Sequence, residues 1–474
     1  MQKKERHLKL NFIRKIIKKY YNNLFYLWYT LIVERVCGVM KESIINVLSL
    51  VNDKLWLLVT LLIVLVGIYY TIKLKGIQFR IGKMKKAILA KEKNSEGLSS
   101  FKTLMLSLAG RIGVGSISGV ALAIYVGGPG TIFWIWIISL LSATLAYAES
   151  FLGVKFREKD GKKAYKGGPA YYIKGALGMP KLGAIYAIFI ILCYGIGYMS
   201  IQSNTIIKST ADFINLKPAF LGIILALISA FVIFGGLKKI ADATSKIVPV
   251  MSLIYILLAV TIIIKNFSSI GNVFLLIVKS AFNFKAFNTG FMATLLLGVQ
   301  RGIFSNEAGL GTGSMAAASG ASKDAEKQGL VQMIGIYVTS LLICTATAII
   351  VLCSNYSNLL VNDANGIEIA KYAFTNQLGP IGNVILVLSI FMFAYSTILT
   401  GYYYGESSLK YFNLKNDKSI LALKTLTIVI IFIGSICSPT IMWKLTDIFV
   451  ACLAIINIYA LIRLRKNVVY NPKK

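Results

Sequence analysis

Histidine is almost missing from this chain: His7 is the single one in 474 residues. A zinc site built on imidazole, or a serine–histidine relay, therefore lacks its central residue. Acidic residues are also few, 19 against 51 Lys and Arg, and charged residues make up only 15% of the chain. Soluble domains carry roughly 25%. A membrane-embedded enzyme would need convergent acids, bases or metal ligands, and so few carboxylates give that reading little support. The six cysteines, Cys37, Cys193, Cys344, Cys353, Cys437 and Cys452, show no CxxC spacing. They mostly lie in or beside apolar runs, where they read as small buried hydrophobes rather than as disulfides.

What the chain has instead is apolar length. Hydrophobic residues make up 56% of it, in runs that approach or exceed the roughly 20 residues needed to cross a bilayer core. Short polar loops separate them, so the spans are expected to be helices and the fold an all-α integral membrane protein. The net charge of +32 would suggest nucleic acid in a soluble protein. Here the basic residues cluster in loops, so they read as a topology signal, and no nucleic-acid partner is expected.

Eleven spans are expected, at about 55–75, 103–126, 131–154, 182–203, 219–236, 247–265, 290–318, 330–353, 382–404, 420–437 and 443–463. Lys73, Lys75, Arg80, Lys83, Lys85, Lys86, Lys91 and Lys93 follow the first span, and Lys155, Arg157, Lys159, Lys162, Lys163 and Lys166 follow the third. Further basic loops follow the fifth (Lys238, Lys239, Lys246), the ninth (Lys410, Lys415, Lys418) and the last (Arg463, Arg465, Lys466, Lys473, Lys474), whereas loop 354–381 carries Asp363, Glu368 and Lys371. Every second loop is basic. That places the N-terminus of the core outside and the C-terminus in the cytoplasm of a cell-membrane protein. Residues 1–39 conflict with this, because their nine Lys or Arg would lie outside. The conflict favours Met40 as the start, with 1–39 as a basic extension.

Two spans differ from the others. The second contains Gly110, Gly113, Gly115 and Gly119 around Arg111, and the seventh reads GVQRGIFSNEAGLGTGSM over 298–315. Glycine costs up to about 1 kcal/mol per helical position relative to alanine, and a mid-membrane charge about 2.5–3.5 kcal/mol. Close packing through small-xxx-small faces accounts for Gly115 with Gly119 and Gly298 with Gly302, but not for the Arg, Asn and Glu beside them. With the first span set aside, the interrupted spans open two groups of five and enter the membrane from opposite sides. This is the pattern of an inverted repeat with its binding site at the midplane. The expected divisions are 40–80 (extra first helix and junction), 81–265 (first repeat), 266–466 (second repeat) and 467–474 (cytoplasmic tail). Breaks are expected at Gly113 and Gly115, and at Gly309, Gly311 and Gly313. There, freed amides suit a carboxylate, and freed carbonyls suit an alkali cation or an ammonium group.

In order along the chain, GRIGVGSISGVALAI, GGPGTIFW, DGKKAYKGGPAYYI, IQSNT, GVQRGIFSNEAGLG, QGLVQMIG and FAYSTILTGYYYGE resemble signature segments of the alanine or glycine:cation symporter family. That family is similar to the leucine-transporter type of 5+5 inverted repeat, here preceded by one extra helix. The resemblance implies a substrate site at Gly113, Gly115, Gln202, Phe304, Asn306, Gly309 and Gly311. It also implies a Na+ site from Ala109, Ile112, Phe393, Ser396 and Thr397, the last three sharing one helical face. Gln202 is equally readable as an interhelical hydrogen bond, and Ser396 and Thr397 as bonded to their own backbone.

Some positions depart from the family's pattern. Ser116 stands where asparagine is common, which puts a second ion site in doubt. Thr339 replaces a common aspartate, and Gly313 with Ser314 replaces Ala-Pro. Glu149 and Arg301 read as reaching toward interfaces or pairing internally, and Glu307 as a gate anchor or a proton site. The expected function is import of a small neutral amino acid, alanine or glycine, with Na+ as the co-transported ion and no cofactor. A proton-coupled or glutamine-type transporter is the alternative within the class, and an ion channel the alternative outside it.

Overall fold

The structure, a computed structural model, describes residues 45–90, 96–161, 164–211, 213, 216–282, 290–354, 366–414, 416–437 and 439–471. The expectations for residues 1–39, His7, Cys37, Lys91, Lys93, Lys162, Lys163, Asp363, Lys415, Lys473 and Lys474 lie outside the described residues. The chain divides into two units, Met1–Asp53 and Lys54–Lys474. Of the first, the described residues 45–53 are helical and begin the helix Ile45–Lys73; everything else below concerns the second.

Apolar length produces helices throughout. Among the described residues, eight are long and apolar enough to cross a membrane: α1 Ile45–Lys73, α5 Gly130–Lys155, α7 Pro180–Thr210, α9 Gly236–Lys265, α13 Ala325–Leu352, α15 Pro380–Phe412, α16 Asp417–Ile436 and α17, whose apolar stretch is Ile441–Arg463. A ninth span is broken, running as α3 Ser100–Arg111 and then α4 Ser118–Gly127. The fifth expected span is the sixteen-residue apolar helix α8 Pro218–Ile233. The seventh is a second interrupted element, α11 Met292–Asn306 followed by α12 Thr312–Ala318.

Shorter helices occupy segments read from sequence as loops: α2 Ile81–Leu89, α6 Pro169–Leu177, α10 Phe267–Ala281 and α14 Gly366–Leu378. Between α5 and α6 a two-residue hairpin pairs Glu158 with Lys166 and Lys159 with Tyr165. The five described cysteines, Cys193, Cys344, Cys353, Cys437 and Cys452, are free thiols.

Two groups of helices frame the site. α5 packs against α11, α12 and α13, while α7 and α16 pack with α8 and α15. Small residues set the closest approach within the first group. A Cβ on Gly298 would stand 2.6 Å from Trp134 Cβ, and one on Gly302 would stand 2.9 Å from Ile138 Cγ2. The small-residue packing reading therefore holds for these two glycines. On the outer faces, Leu57, Leu61 and Leu65 of α1 and Phe220, Leu227 and Phe231 of α8 are exposed. Such faces suit lipid rather than water.

Candidate functional site

α3 ends at Arg111, and the chain then bends by 64° before continuing. Ile112 leaves helical geometry at φ −87° and ψ 76°, Gly113 is extended, and Val114–Ser116 forms one 3-10 turn. The break thus falls on Ile112 and Gly113, with Gly115 inside the turn that follows it. Gln202 on α7 reaches in, and its Oε1 accepts the freed Val114 N–H at 3.1 Å. An N–H cannot accept, so this contact fixes the amide orientation and leaves Nε2 as a buried donor without a partner among the described residues. Gly113 makes the approach possible: a Cβ there would stand 2.7 Å from Thr397 Oγ1 and 3.0 Å from Gln202 Nε2.

Beside this break lies a cluster of oxygens. The Thr397 hydroxyl faces the carbonyls of Ala109 at 2.9 Å and Phe393 at 3.0 Å. Ser396 Oγ approaches the same two carbonyls at 3.5 and 2.9 Å. Two carbonyls and two hydroxyls therefore meet with only two hydroxyl hydrogens among them. The spacing of Phe393, Ser396 and Thr397 on α15 brings this about, as expected for one helical face. Ile112 follows as the C-cap of α3. Ser116 is engaged differently: its hydroxyl pairs with Ser305 at 2.6 Å, and its carbonyl accepts from Thr347 at 2.8 Å.

Phe304 closes the other side. Its ring edge would be 2.7 Å from a Cβ on Gly115. It belongs to a column of aromatic rings: Tyr404 meets Tyr194 edge-on, Tyr194 stacks on Tyr198 at 4.6 Å, Tyr198 stacks on Phe304 at 4.8 Å, and Phe304 tilts against Trp443 at 5.2 Å. Tyr194 and Tyr198 sit on a π-helical turn of α7, Cys193–Tyr198. Such turns are frequent at functional sites. Beyond Phe304, Arg301 pairs with Asp447 at 3.1 Å and Gln300 donates to the same carboxylate at 3.0 Å. The Arg301 guanidinium lies 5.7 Å from the Phe304 ring and 5.5 Å from that of Trp443.

The second break, residues 307–311, is tied to the protein itself. Glu307, Gly309 and Gly311 take positive φ angles of 56°, 85° and 94°. Gly313, expected as part of the break, lies inside α12. Asn306 Oδ1 accepts the Ala308 N–H at 2.9 Å, and its Nδ2 donates to Ser139 and Ser340 at 3.1 and 3.2 Å. The amides of Gly309 and Gly311, expected to supply backbone contacts to a substrate, both donate to Glu149 Oε2, at 3.1 and 3.0 Å. Here the protein supplies its own carboxylate, and Asn306, Gly309 and Gly311 form a wall rather than an open cradle. Glu307 accepts from Tyr194 at 2.8 Å and Thr312 at 2.7 Å.

A family model described as the sodium:alanine symporter family matches residues 41–474. The chain belongs to that family. Among symporter-family relatives, the sodium/alanine symporter AgcS of Methanococcus maripaludis is 34% identical over 90% of this chain and 96% of its own. The probable sodium/glutamine symporter GlnT of Bacillus subtilis is 35% identical over 90% of each. The amino-acid carrier protein AlsT, also of Bacillus subtilis, is 34% identical over 91% of this chain and 92% of its own. In overall fold, the chain is similar to the crystal structure of MhsT in complex with L-phenylalanine, with a TM-score of 0.54 and 14% identity over 78% of this chain and 89% of that one. This symporter-family chain thus has the leucine-transporter type of fold expected from sequence.

Of the residues expected at the site, the first break gathers Ala109, Gly113, Gly115, Gln202, Phe304, Phe393, Ser396 and Thr397. Asn306, Gly309 and Gly311 line the second break. Sequence reasoning missed Asp447, Asn457, Trp443 and the π-turn tyrosines. Each sits in an ordinary apolar stretch with no motif around it. Asp447 alone carried a signal, as an intramembrane carboxylate in the last span.

Proposed function

We propose that the chain imports a small neutral amino acid, alanine or glycine, together with Na+, by alternating access about the first break. The observation carrying this reading is that Gln202 Nε2, unpartnered among the described residues, and the freed backbone at Gly113 lie directly beside the oxygen cluster. The substrate carboxylate faces Gln202 Nε2 and the break amides. Na+ sits among the Ala109, Ile112 and Phe393 carbonyls and the Ser396 and Thr397 hydroxyls. These are uncharged oxygens, as a weakly held monovalent ion needs. Phe304 against Gly115 limits the side chain, since each added methylene has to find room.

Glu307 anchors the second break through Tyr194 and Thr312. The Arg301–Asp447 pair and the aromatic column close the site on the outer side, in the orientation that the basic loops assign. With the Ser116 hydroxyl engaged by Ser305, a single Na+ is proposed. One charge moving down about 100 mV releases about 2.3 kcal/mol, which supports about fifty-fold accumulation at about 1.4 kcal/mol per tenfold.

The test is uptake of labelled alanine into proteoliposomes under an inward Na+ gradient. Saturable uptake that collapses when Na+ is replaced by choline is expected. Uptake driven only by a proton gradient, a preference for glutamine in a labelled panel, or a non-saturating current would overturn the reading.

A further inference from the structure

Glu149 lies on α5 and is wholly buried, and its two oxygens have different surroundings. Oε2 accepts three hydrogen bonds, from the amides of Gly309 and Gly311 and from Asn457 Nδ2 at 3.0 Å. The Asn457 orientation is forced, because its Oδ1 receives the Tyr172 hydroxyl while its Nδ2 also donates to the Gly309 carbonyl at 2.9 Å. All three groups can only donate, so Oε2 must be an acceptor whether or not the carboxyl is ionised. Among the described residues Oε1 has no hydrogen-bond partner.

Arg111 faces it and is itself only 1% exposed. Its Nη1 donates to the Gln332 carbonyl at 3.0 Å, while Nε and Nη2 have no partner among the described residues. The two side chains meet at Gly313. A Cβ there would stand 2.3 Å from Arg111 Nη2 and 3.5 Å from Glu149 Oε1, and on the far side a Cβ on Gly335 would stand 2.3 Å from Arg111 Nη1.

Among the described residues, the fully buried charged groups around the second break are Arg111, Glu149 and Glu307. Asp447 is already neutralised by Arg301. One guanidinium is left for two carboxylates, and an uncompensated carboxylate at this depth is costly. Glu307 has a hydroxyl donor on each oxygen, Tyr194 on one and Thr312 on the other, which suits an ionised group. Two further titratable groups face Glu149: Tyr172 of α6, committed to Asn457, and Tyr186 of α7, which donates to the Leu310 carbonyl at 2.6 Å. Neither donates to Oε1.

We propose that Glu149 is a proton-binding site, carrying a proton on Oε1 while Oε2 acts as the carbonyl-type acceptor that holds the second break. Arg111 and Glu307 are then the charge-balanced pair. When the Oε1–H bond breaks and the proton passes to water, Oε1 becomes an anion facing the free Nε and Nη2 of Arg111. The guanidinium can close on it past Gly313, which has no side chain in the way. Protonation at Glu149 thereby sets how α3, α5 and α12 are tied together.

The experiment is infrared difference spectroscopy of the full-length protein in lipid nanodiscs, stepped from neutral to alkaline pH, with glutamate carboxyls labelled with carbon-13. The expected result is a protonated-carboxyl band at neutral pH that moves with the label, is absent in Glu149→Gln and persists in Glu307→Gln. Absence of any label-sensitive band, or a band that survives Glu149→Gln and vanishes in Glu307→Gln, would overturn the assignment. Should Glu149→Gln fail to fold, Glu149→Asp decides: the band then becomes insensitive to the glutamate label, whereas a band still sensitive to it refutes the proposal. The measurement needs neither Na+ nor amino acid, so failure of the transport reading leaves it standing.

Discussion

Two single atoms decide how tightly the first break can close. Gly115→Ala puts a methyl 2.7 Å from the Phe304 ring, and Gly113→Ala puts one 2.7 Å from Thr397 Oγ1. Overpacking of this kind costs about 1–3 kcal/mol, or about five- to 150-fold in affinity. The two should nevertheless differ in what they damage. Gly115→Ala is expected to weaken alanine binding more than Na+ binding, and Gly113→Ala to weaken both, as read by paired titrations of the purified protein. Thr397→Val keeps the shape and removes one oxygen of the cluster. It is expected to raise the Na+ concentration for half-maximal uptake by about tenfold, as for loss of a polar contact worth about 1–1.5 kcal/mol. An unchanged Na+ dependence in Thr397→Val would place the cation elsewhere.

At the scale of elements, the half-helices are held by different means. α12 depends on Gly311, where φ is 94° and a Cβ would stand 2.1 Å from Pro169 Cγ. Gly311→Ala combines a disfavoured backbone with a clash, and is expected to lower both thermal stability and transport. α11 is tied to α17 by the Arg301–Asp447 pair, whose side chains are 11% and 5% exposed. Removing either partner leaves the other charge nearly buried. Arg301→Gln and Asp447→Asn are each expected to destabilise the closed arrangement, by up to about 3–5 kcal/mol if no water replaces the partner. The double variant should be less affected than the sum of the singles. A thermal-stability double-mutant cycle gives the coupling, and strict additivity would show that the pair does not hold the gate.

Much of the whole molecule was legible from the chain, for a physical reason. In hydrocarbon a backbone must satisfy itself, so hydrophobic length reports helices directly, and glycine with charge inside such a run reports a break. Hence both interruptions were readable in advance, whereas the oxygen set on α15 and the position of Gln202 came from the family resemblance rather than from composition. The second break's partners were not readable, because Glu149 and Asn457 come from helices far apart in sequence. An amide that looks free for a ligand in one dimension is taken by a carboxylate in three. The amphipathic helices α2 and α10 were missed because they are too short to register as spans. If the basic loops have been read correctly, single cysteines at Gly161 and Gly379 should label from opposite faces of sealed right-side-out vesicles, Gly379 from outside. Labelling of both from one side would contradict the assigned topology.

The aromatic column has an optical consequence. Trp443 is its terminal ring, leaning on Phe304 with Arg301 nearby, and the chain's other tryptophans are Trp28, Trp56, Trp134 and Trp136. Replacing those four with phenylalanine would leave one native fluorophore at the end of the column, against Phe304. Its emission then becomes a built-in signal of opening and closing, with no dye attached.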